Sequence, residues 1–166
     1  TNANVSYVNT HAQLEALRDE AVKNKTNGPR VLLTGSSDCG KSSLARILLA
    51  YAVKLSRCPL LIDIDVSENS LSVPGTLTAS PVNPDSISVQ AYASAGSSIL
   101  ASTTPFVLWY GSTDLATNPD LYKKQLDKMG ECIDDRLKSD SDANANASGF
   151  IVNTCGWIED IGYELL

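Results

Sequence analysis

Gly35-Ser36-Ser37-Asp38-Cys39-Gly40-Lys41-Ser42 matches G-x-x-x-x-G-K-[ST], the pattern of a phosphate-binding loop. The apolar run before it, Val31-Leu32-Leu33, predicts a buried parallel strand, and residues 42–51 after it are apolar at helical spacing. Glycines let the backbone N–H groups of such a loop turn toward phosphate oxygens, and the N-terminus of the helix adds positive potential. The chain is therefore predicted to be an α/β protein with the P-loop NTPase fold, a mostly parallel sheet flanked by helices, and to bind a nucleoside triphosphate.

Four side chains in and near this loop have predicted chemical roles. Lys41 would reach the β and γ phosphates, and the Ser42 hydroxyl would take one coordination position of Mg²⁺. The run Leu60–Val66 predicts a central strand that ends in two aspartates. Alternation places Asp63 and Asp65 on one side of that strand, at the end where α/β sheets bind ligands. Such a carboxylate handles Mg²⁺, its water or the attacking nucleophile, although either aspartate could instead cap the following loop.

Length and composition indicate one soluble intracellular domain. The chain has 166 residues, of which 43% are hydrophobic, and no apolar run approaches the ~20 residues of a membrane span. No signal-peptide pattern is visible at the N-terminus, and four scattered cysteines with one histidine argue against zinc or a disulfide framework. The net charge of −6 is not typical of a free-standing nucleic-acid binder, and no Lys or Arg follows Lys138. If the protein binds RNA, most of the neutralising charge is expected to lie elsewhere.

The remaining elements are predicted from periodicity and turn residues. A capping box at Thr10 predicts a helix from His11 to about Asn24, with its apolar side formed by Leu14, Leu17, Ala21 and Val22. Residues 107–110 predict a third strand, with Trp109 in the core. A long amphipathic helix is expected from about Asn118, and a last strand over 150–153. Prolines and glycines mark loops near 74–75 and 81–84, while 88–104 shows no clear pattern.

With these residues in place, the chain resembles the polynucleotide 5′-hydroxyl kinase family of the eukaryotic messenger-RNA cleavage and polyadenylation machinery. Besides the phosphate loop, the resemblance rests on segments in the family's order: Asn9-Thr10-His11, Gly28-Pro29-Arg30, Asn69-Ser70, Ser72 to Thr76, and Asn118 with Leu121-Tyr122. Most specific is Asn153-Thr154-Cys155-Gly156-Trp157, which is similar to the family's T-x-G-W clasp. The resemblance covers 1–166 as a partial P-loop kinase domain that stops after the clasp strand, without the family's lid and flanking N- and C-terminal domains.

The resemblance implies transfer of the γ-phosphate of ATP to the free 5′-hydroxyl of RNA, with Mg²⁺, in a nuclear cleavage-factor subunit and possibly also in transfer-RNA splicing. It implies that Asp65 orients and deprotonates the hydroxyl while Lys41 bridges the phosphates. Thr154, Gly156 and Trp157 would hold the RNA end, the indole stacking on a base. Other subunits of the processing complex are the expected partners, and no membrane is. The phosphates would be cradled by Gly35, Ser36, Ser37, Asp38, Cys39, Gly40, Lys41, Ser42 and Ser43.

Two departures from the family pattern keep a second interpretation open. After Asp65 the family typically reads Val-Gly-Gln, whereas this chain reads Val66-Ser67-Glu68. Glu68 either repels the phosphates or acts as an additional Mg²⁺ ligand. The family's arginine-bearing lid would follow the clasp beyond residue 166, so weak catalysis is expected of these residues alone. The alternative is a catalytically silent scaffold subunit that holds ATP to stabilise a surface for its partners.

A third class, the small GTPases, agrees poorly with the sequence. These proteins read guanine with an N-K-x-D motif. The nearest segment, Asn118-Pro119-Asp120, lacks the lysine and opens a predicted helix.

Overall fold

The computed structural model describes residues 2–83, 104–139 and 143–157. These residues form five strands, four α-helices and one short 3₁₀ helix. The strands are β1 (Arg30–Leu33), β2 (Leu60–Asp63), β3 (Thr76–Pro81), β4 (Phe106–Trp109) and β5 (Phe150–Asn153). The α-helices are α1 (Asn2–Asn24), α2 (Lys41–Lys54), α3 (Pro119–Ser139) and α4 (Ala143–Ser148), and the 3₁₀ helix is Leu115–Thr117.

All five strands form one sheet in the order β1-β5-β2-β3-β4. β5 runs parallel to both β1 and β2, whereas β3 is antiparallel to β2 and to β4. The α/β class is confirmed, as is the central place of β2, but the sheet is mixed rather than mostly parallel. The difference arises because β3 is antiparallel to both of its neighbours. The sequence pattern does not predict β3, since it lies between two segments that Pro and Gly mark as loops.

Register across the three parallel strands sets up the site. Leu33 pairs with Asn153, and Asn153 pairs with Asp63, so one row crosses the ends of β1, β5 and β2. The loop after β1 leads into α2, and the loop after β2 carries Asp65. The carboxyl ends of parallel strands therefore bring the loops with polar side chains to one edge of the sheet.

Two hydrophobic clusters lie on the two faces of the sheet. One packs α1 and α2 against β2 and β5 and includes Leu14, Leu48, Leu49, Leu61 and Ile151. The other packs α3 against the opposite face and includes Ile62, Leu77, Tyr122, Met129 and Ile133. Tyr122 also donates from its hydroxyl to the Ile64 carbonyl at 2.9 Å, which ties α3 to the end of β2. The predicted amphipathic helix from about Asn118 is confirmed.

Helix α1 differs from its prediction. It begins at Asn2 rather than His11, and Thr10 donates to the Ser6 carbonyl from inside the helix instead of capping it. Leu17 and Val22 are exposed, contrary to the prediction, while Arg18 is buried. Arg18 donates to Ser148 O at 3.0 Å and to Glu15 at 2.7 Å, so the charge is paired where it is buried.

Two predictions about buried strands are wrong. Trp109 is 65% exposed, because β4 is an edge strand with no neighbour beyond it in the described part of the chain. β1 likewise lies at the other edge of that sheet, and its Leu32 is 49% exposed. Among the described residues, no helix is both long and apolar enough to cross a bilayer.

Candidate nucleotide-binding and phosphoryl-transfer site

The loop between β1 and α2 has the backbone of a phosphate cradle. Gly40 has φ +90° as the N-cap of α2, a left-handed conformation that glycine adopts without steric cost. Asp38 is also left-handed, at φ +58°, which short polar side chains tolerate. A Cβ on Gly35 would lie 2.8 Å from the Cys39 sulfur, so the loop closes tightly on itself. Gly40 thus permits the left-handed turn, and Gly35 leaves room for the Cys39 side chain.

The first turn of α2 points at the cavity enclosed by this loop. The first N–H groups of a helix lack intrahelical partners, and none of the described side chains caps them here, so they are available to an anion. Lys41 folds back across the loop, and its Nζ donates to Ser36 O at 2.8 Å. Ser42 lies one residue further along, with its Oγ 3.3 Å from Asn153 Nδ2. The ammonium and the hydroxyl therefore lie at the helix end where a triphosphate would bind.

A cavity of about 480 Å³ lies over this loop. Among the described residues, its charged lining consists of one ammonium, from Lys41, and three carboxylates, from Asp38, Asp65 and Glu68. A polyphosphate entering such a cavity needs additional positive charge, which a divalent cation supplies. The other lining residues are Ser37, Gly40, Ser42, Ser43, Ser67 and Gly156.

The oxygen donors of this cavity suit magnesium held partly by a nucleotide. The Ser42 hydroxyl and the carboxylates of Asp65 and Glu68 face the same space. Among the described residues, no three His, Cys, Asp or Glu side chains converge on one point. Mg²⁺ usually binds through one or two protein oxygens, phosphates and water rather than through an all-protein cage. The residues present therefore fit that ion.

Asp65 is fixed by the turn that follows β2. Its Oδ1 accepts hydrogen bonds from Ser67 N at 2.9 Å and Glu68 N at 3.4 Å, and also from the Ser67 hydroxyl. Asp65 as a residue is 8% exposed, and none of the described residues donates to its Oδ2. One oxygen thus orients the side chain while the other is left for chemistry.

Asp63 lies behind the cavity rather than in its wall. It is fully buried and accepts four hydrogen bonds, from Asp65 N, from the amide and hydroxyl of Ser70, and from Asn153 Nδ2 at 3.1 Å. Burial raises the pKa of the Asp63 carboxyl, an effect that the hydrogen bonds from Ser70 and Asn153 oppose. The predicted direct contact between Asp63 and a metal ion is not available in this geometry. It contacts the site through the backbone N–H of Asp65 and through Asn153, whose Nδ2 also lies beside Ser42.

A second cavity, of about 310 Å³, adjoins the first. Asp65, Ser67, Ser37 and Gly156 line both cavities. Burial raises the pKa of the Cys155 thiol in its wall, so that side chain is neutral. The remaining wall is formed by Val66, Thr113, Asp114, Leu115, Ala116 and the half-buried Trp157.

The three residues predicted to form the clasp, Thr154, Gly156 and Trp157, lie in different environments. Trp157 lines the second cavity, and its contact with an RNA end stays a prediction. Thr154 is fully buried, and its hydroxyl donates to Leu33 O at 2.8 Å, which joins the ends of β5 and β1. Gly156 lies against the backbone of Ser37, where a side chain has no room. Of the three, Thr154 offers no surface to a substrate.

Comparison with known proteins identifies this arrangement. A protein-family model described as "mRNA cleavage and polyadenylation factor CLP1 P-loop" matches residues 35–166. The chain belongs to the CLP1 P-loop family. The resemblance derived from the clasp and phosphate-loop motifs is thereby confirmed.

Curated relatives carry the name polyribonucleotide 5′-hydroxyl-kinase Clp1. The Danio rerio protein is 41% identical over 160 residues and the Homo sapiens protein 39% identical over 160 residues. These alignments cover 96% of this chain but 34% and 35% of the relatives. The chain therefore spans about a third of the length of the curated relatives it matches.

Solved CLP1-family structures have the same fold. A wild-type Clp1p–Pcf11p complex superimposes with a TM-score of 0.71 at 30% identity, covering 90% of this chain and 34% of that one. A second structure concerns an extended Pcf11p–Clp1p interface and ATP loss in a glycine-to-arginine mutant. It gives a TM-score of 0.74 at 28% identity, covering 90% and 35%.

Asn153 is the polar residue of the site that the motif reasoning did not assign. Its place directly before the T-x-G-W motif, at the end of a strand, is the signal that could have drawn attention to it. The register with Leu33 and Asp63, which connects it to Ser42, could not be obtained from the sequence.

Proposed function

We propose that this chain is the ATP-binding kinase domain of a polyribonucleotide 5′-hydroxyl kinase. It would transfer the γ-phosphate of ATP to the 5′-hydroxyl of RNA during pre-mRNA cleavage and polyadenylation in the nucleus. Transfer-RNA splicing is a second process that this chemistry could serve, since it needs only a free RNA 5′-hydroxyl. Family membership and the names of the relatives support the reaction class.

The observation that carries the proposal is the position of Asp65 on the wall shared by two adjoining cavities. One cavity has the phosphate loop, Lys41 and Ser42. The other has an indole, and every nucleobase offers a face on which an indole can stack. Phosphoryl transfer requires a proton acceptor between the nucleotide that donates the phosphate and the alcohol that receives it, and Asp65 has that position.

Each residue has a role in the proposed reaction. The N–H groups of the first turn of α2 and the Lys41 ammonium hold the β and γ phosphates. Asp65 Oδ2 accepts the proton of the RNA 5′-hydroxyl while the hydroxyl oxygen forms a bond to the γ phosphorus. The bond from the γ phosphorus to the β–γ bridging oxygen breaks, and ADP leaves. Bound Mg²⁺ would neutralise charge on the phosphates, with Ser42 and Glu68 as protein oxygens beside it.

The partners proposed for this chain are subunits of the same processing machinery. Two CLP1-family structures are complexes with Pcf11p. The net charge of −6 agrees with a subunit whose RNA contacts are shared with other proteins.

A silent ATP-bound scaffold is the second candidate, and one observation favours it. In the part of the chain that the structure describes, three carboxylates and one ammonium line the phosphate cavity, and Glu68 supplies one of the carboxylates. Excess negative charge opposes the charge that develops on the transferred phosphoryl group. ATP could then stabilise the fold by mass action without turnover.

Transfer of labelled γ-phosphate to a 5′-hydroxyl RNA oligonucleotide tests both candidates. The full-length protein is assayed beside its Lys41→Ala variant, which controls for contaminating kinase. Labelled RNA with the wild type but not with the variant supports the kinase. No transfer, with intact ATP extracted from the purified wild type, would reject the kinase in favour of the scaffold.

A further inference from the structure

Asn153 links Asp63 to the hydroxyl of Ser42. Its Nδ2 lies 3.1 Å from Asp63 Oδ1 and 3.3 Å from Ser42 Oγ. A carboxylate oxygen only accepts, so the amide atom that faces Asp63 is the nitrogen. Its two hydrogens are therefore directed to Asp63 and Ser42, and the residue is 1% exposed.

The amide is held from several directions. Asn153 is in register with Leu33 and Asp63 on the two neighbouring strands, and its carbonyl accepts from Ile64 N at 3.0 Å. Asp63 is itself fixed by three hydrogen bonds from Asp65 and Ser70. Rigid strands and a saturated carboxylate thus set where Nδ2 points.

The oxygen of the Asn153 amide has no hydrogen-bond donor in the described part of the chain. This atom, Oδ1, is buried. A side chain that served packing alone would be apolar here, because a buried carbonyl oxygen without a donor is unfavourable. The contact of Nδ2 with Ser42 and Asp63 is what accounts for an amide at this position.

We propose that Asn153 is a positioning residue that orients the Ser42 hydroxyl for the metal-bound nucleotide. The amide occupies one lone pair of Ser42 Oγ and leaves the second lone pair and the O–H for the cavity. Asp63 acts through Asn153 rather than on the metal. The inference rests on the proposed use of ATP with Mg²⁺.

Removing a residue that hydrogen-bonds a metal ligand typically lowers metal affinity by roughly 10–100-fold. We therefore expect Asn153→Leu, which keeps the branched shape without the donor, to lower the Mg²⁺-dependent gain in ATP affinity by about 10-fold or more. Binding of ATP in EDTA should stay within about 2-fold of the wild type, because the phosphate loop is unchanged. Asn153→Ala is the second variant, in case the leucine does not fold.

The test is calorimetric titration of the full-length protein with ATP, in Mg²⁺ and in EDTA. A double-mutant cycle with Ser42→Ala distinguishes positioning from general destabilisation. Thr78→Val is the matched control, since Thr78 is also fully buried and donates to Asn69 Oδ1 at 3.0 Å, away from the cavity.

The expected result is a reduced Mg²⁺-dependent gain in ATP affinity in the Asn153 variants, no further reduction when an Asn153 substitution is added to Ser42→Ala, and no reduction in Thr78→Val. Equal loss of affinity with and without Mg²⁺, or effects of Asn153 and Ser42 that add, would overturn the inference alone. If the wild type binds ATP with the same affinity in Mg²⁺ and in EDTA, both the inference and the proposed use of Mg²⁺ would be overturned.

Discussion

Replacing Gly156 by alanine is expected to disturb the phosphate loop, although Gly156 is outside that loop in sequence. A Cβ added there would lie 2.5 Å from Ser37 N and 2.6 Å from Ser37 Cα. Both are backbone atoms of the phosphate loop, so neither can move by a change of rotamer. The φ of Gly156 is not positive, so the expected effect comes from lack of space and not from backbone strain.

The size of the effect follows from the required movement. Ordinary contacts of a Cβ begin at 3.4 Å, so Ser37 N and the new Cβ must separate by about 0.9 Å. Overpacking of this kind typically costs about 1–3 kcal/mol. If the loop absorbs that cost, ATP affinity falls by roughly 5- to 100-fold, since 1.4 kcal/mol is tenfold.

Titration with a fluorescent ATP analogue measures the change, and a thermal melt reports on stability. Gly130→Ala is the matched control, because no atom lies within 4 Å of a Cβ added at that position in α3. That variant should keep its ATP affinity and gain about 0.5–1 kcal/mol of stability from the better helix former. If Gly156→Ala binds ATP as tightly as the wild type, the claim that close packing of Gly156 on Ser37 maintains the phosphate loop is wrong.

Three further predictions concern stability. Trp109→Ser should change the free energy of unfolding by no more than about 0.5 kcal/mol in urea, because the side chain is 65% exposed; a loss near 3 kcal/mol would mean a buried indole. Arg18→Leu should cost about 1–3 kcal/mol in the same assay, since it removes the donor to Ser148 O and one of the two arginine partners of Glu15; a neutral result contradicts that pairing. Burial lowers the pKa of His11 below 6.5, so the folded state favours the neutral ring. The melting temperature should therefore fall as the pH drops below about 6.5, and less so in His11→Phe, which keeps a ring beside Tyr51; equal pH profiles would exclude His11 as a cause.

The sequence predicts most of what surrounds the phosphate loop. G-x-x-x-x-G-K-[ST] specifies a strand, a turn and a helix at once, so β1, the loop and α2 appear where expected. The run over 60–66 is apolar enough to predict a central strand, and β5 has the bounds expected for it. Local patterns are sufficient here because backbone geometry and side-chain chemistry point to the same structure.

Other features depend on contacts that no local pattern encodes. Whether an apolar strand such as β4 is central or at an edge is decided by its neighbours, so Trp109 was expected in the core. α1 begins before its predicted cap, and Thr10 donates to Ser6 O inside the helix instead. Asp63 and Asp65 lie near the carboxyl end of β2 as expected, although β2 ends at Asp63 and alternation along a strand does not extend to Asp65. The sequence pattern offered no means of telling the two apart. It could not show that donors from Ser70 and Asn153 would saturate Asp63 and leave Asp65 facing both cavities.

The most direct test of the account is a comparison of the wild type with Asp65→Asn in the full-length protein, in ATP binding and in γ-phosphate transfer to 5′-hydroxyl RNA. The isosteric amide can still accept from Ser67 and Glu68, so the turn is retained, but it cannot take a proton from the attacking hydroxyl. We expect ATP affinity within a few-fold of the wild type and a transfer rate at least about 100-fold lower. Transfer at the wild-type rate by Asp65→Asn would contradict the assignment of Asp65 as the base between the two cavities.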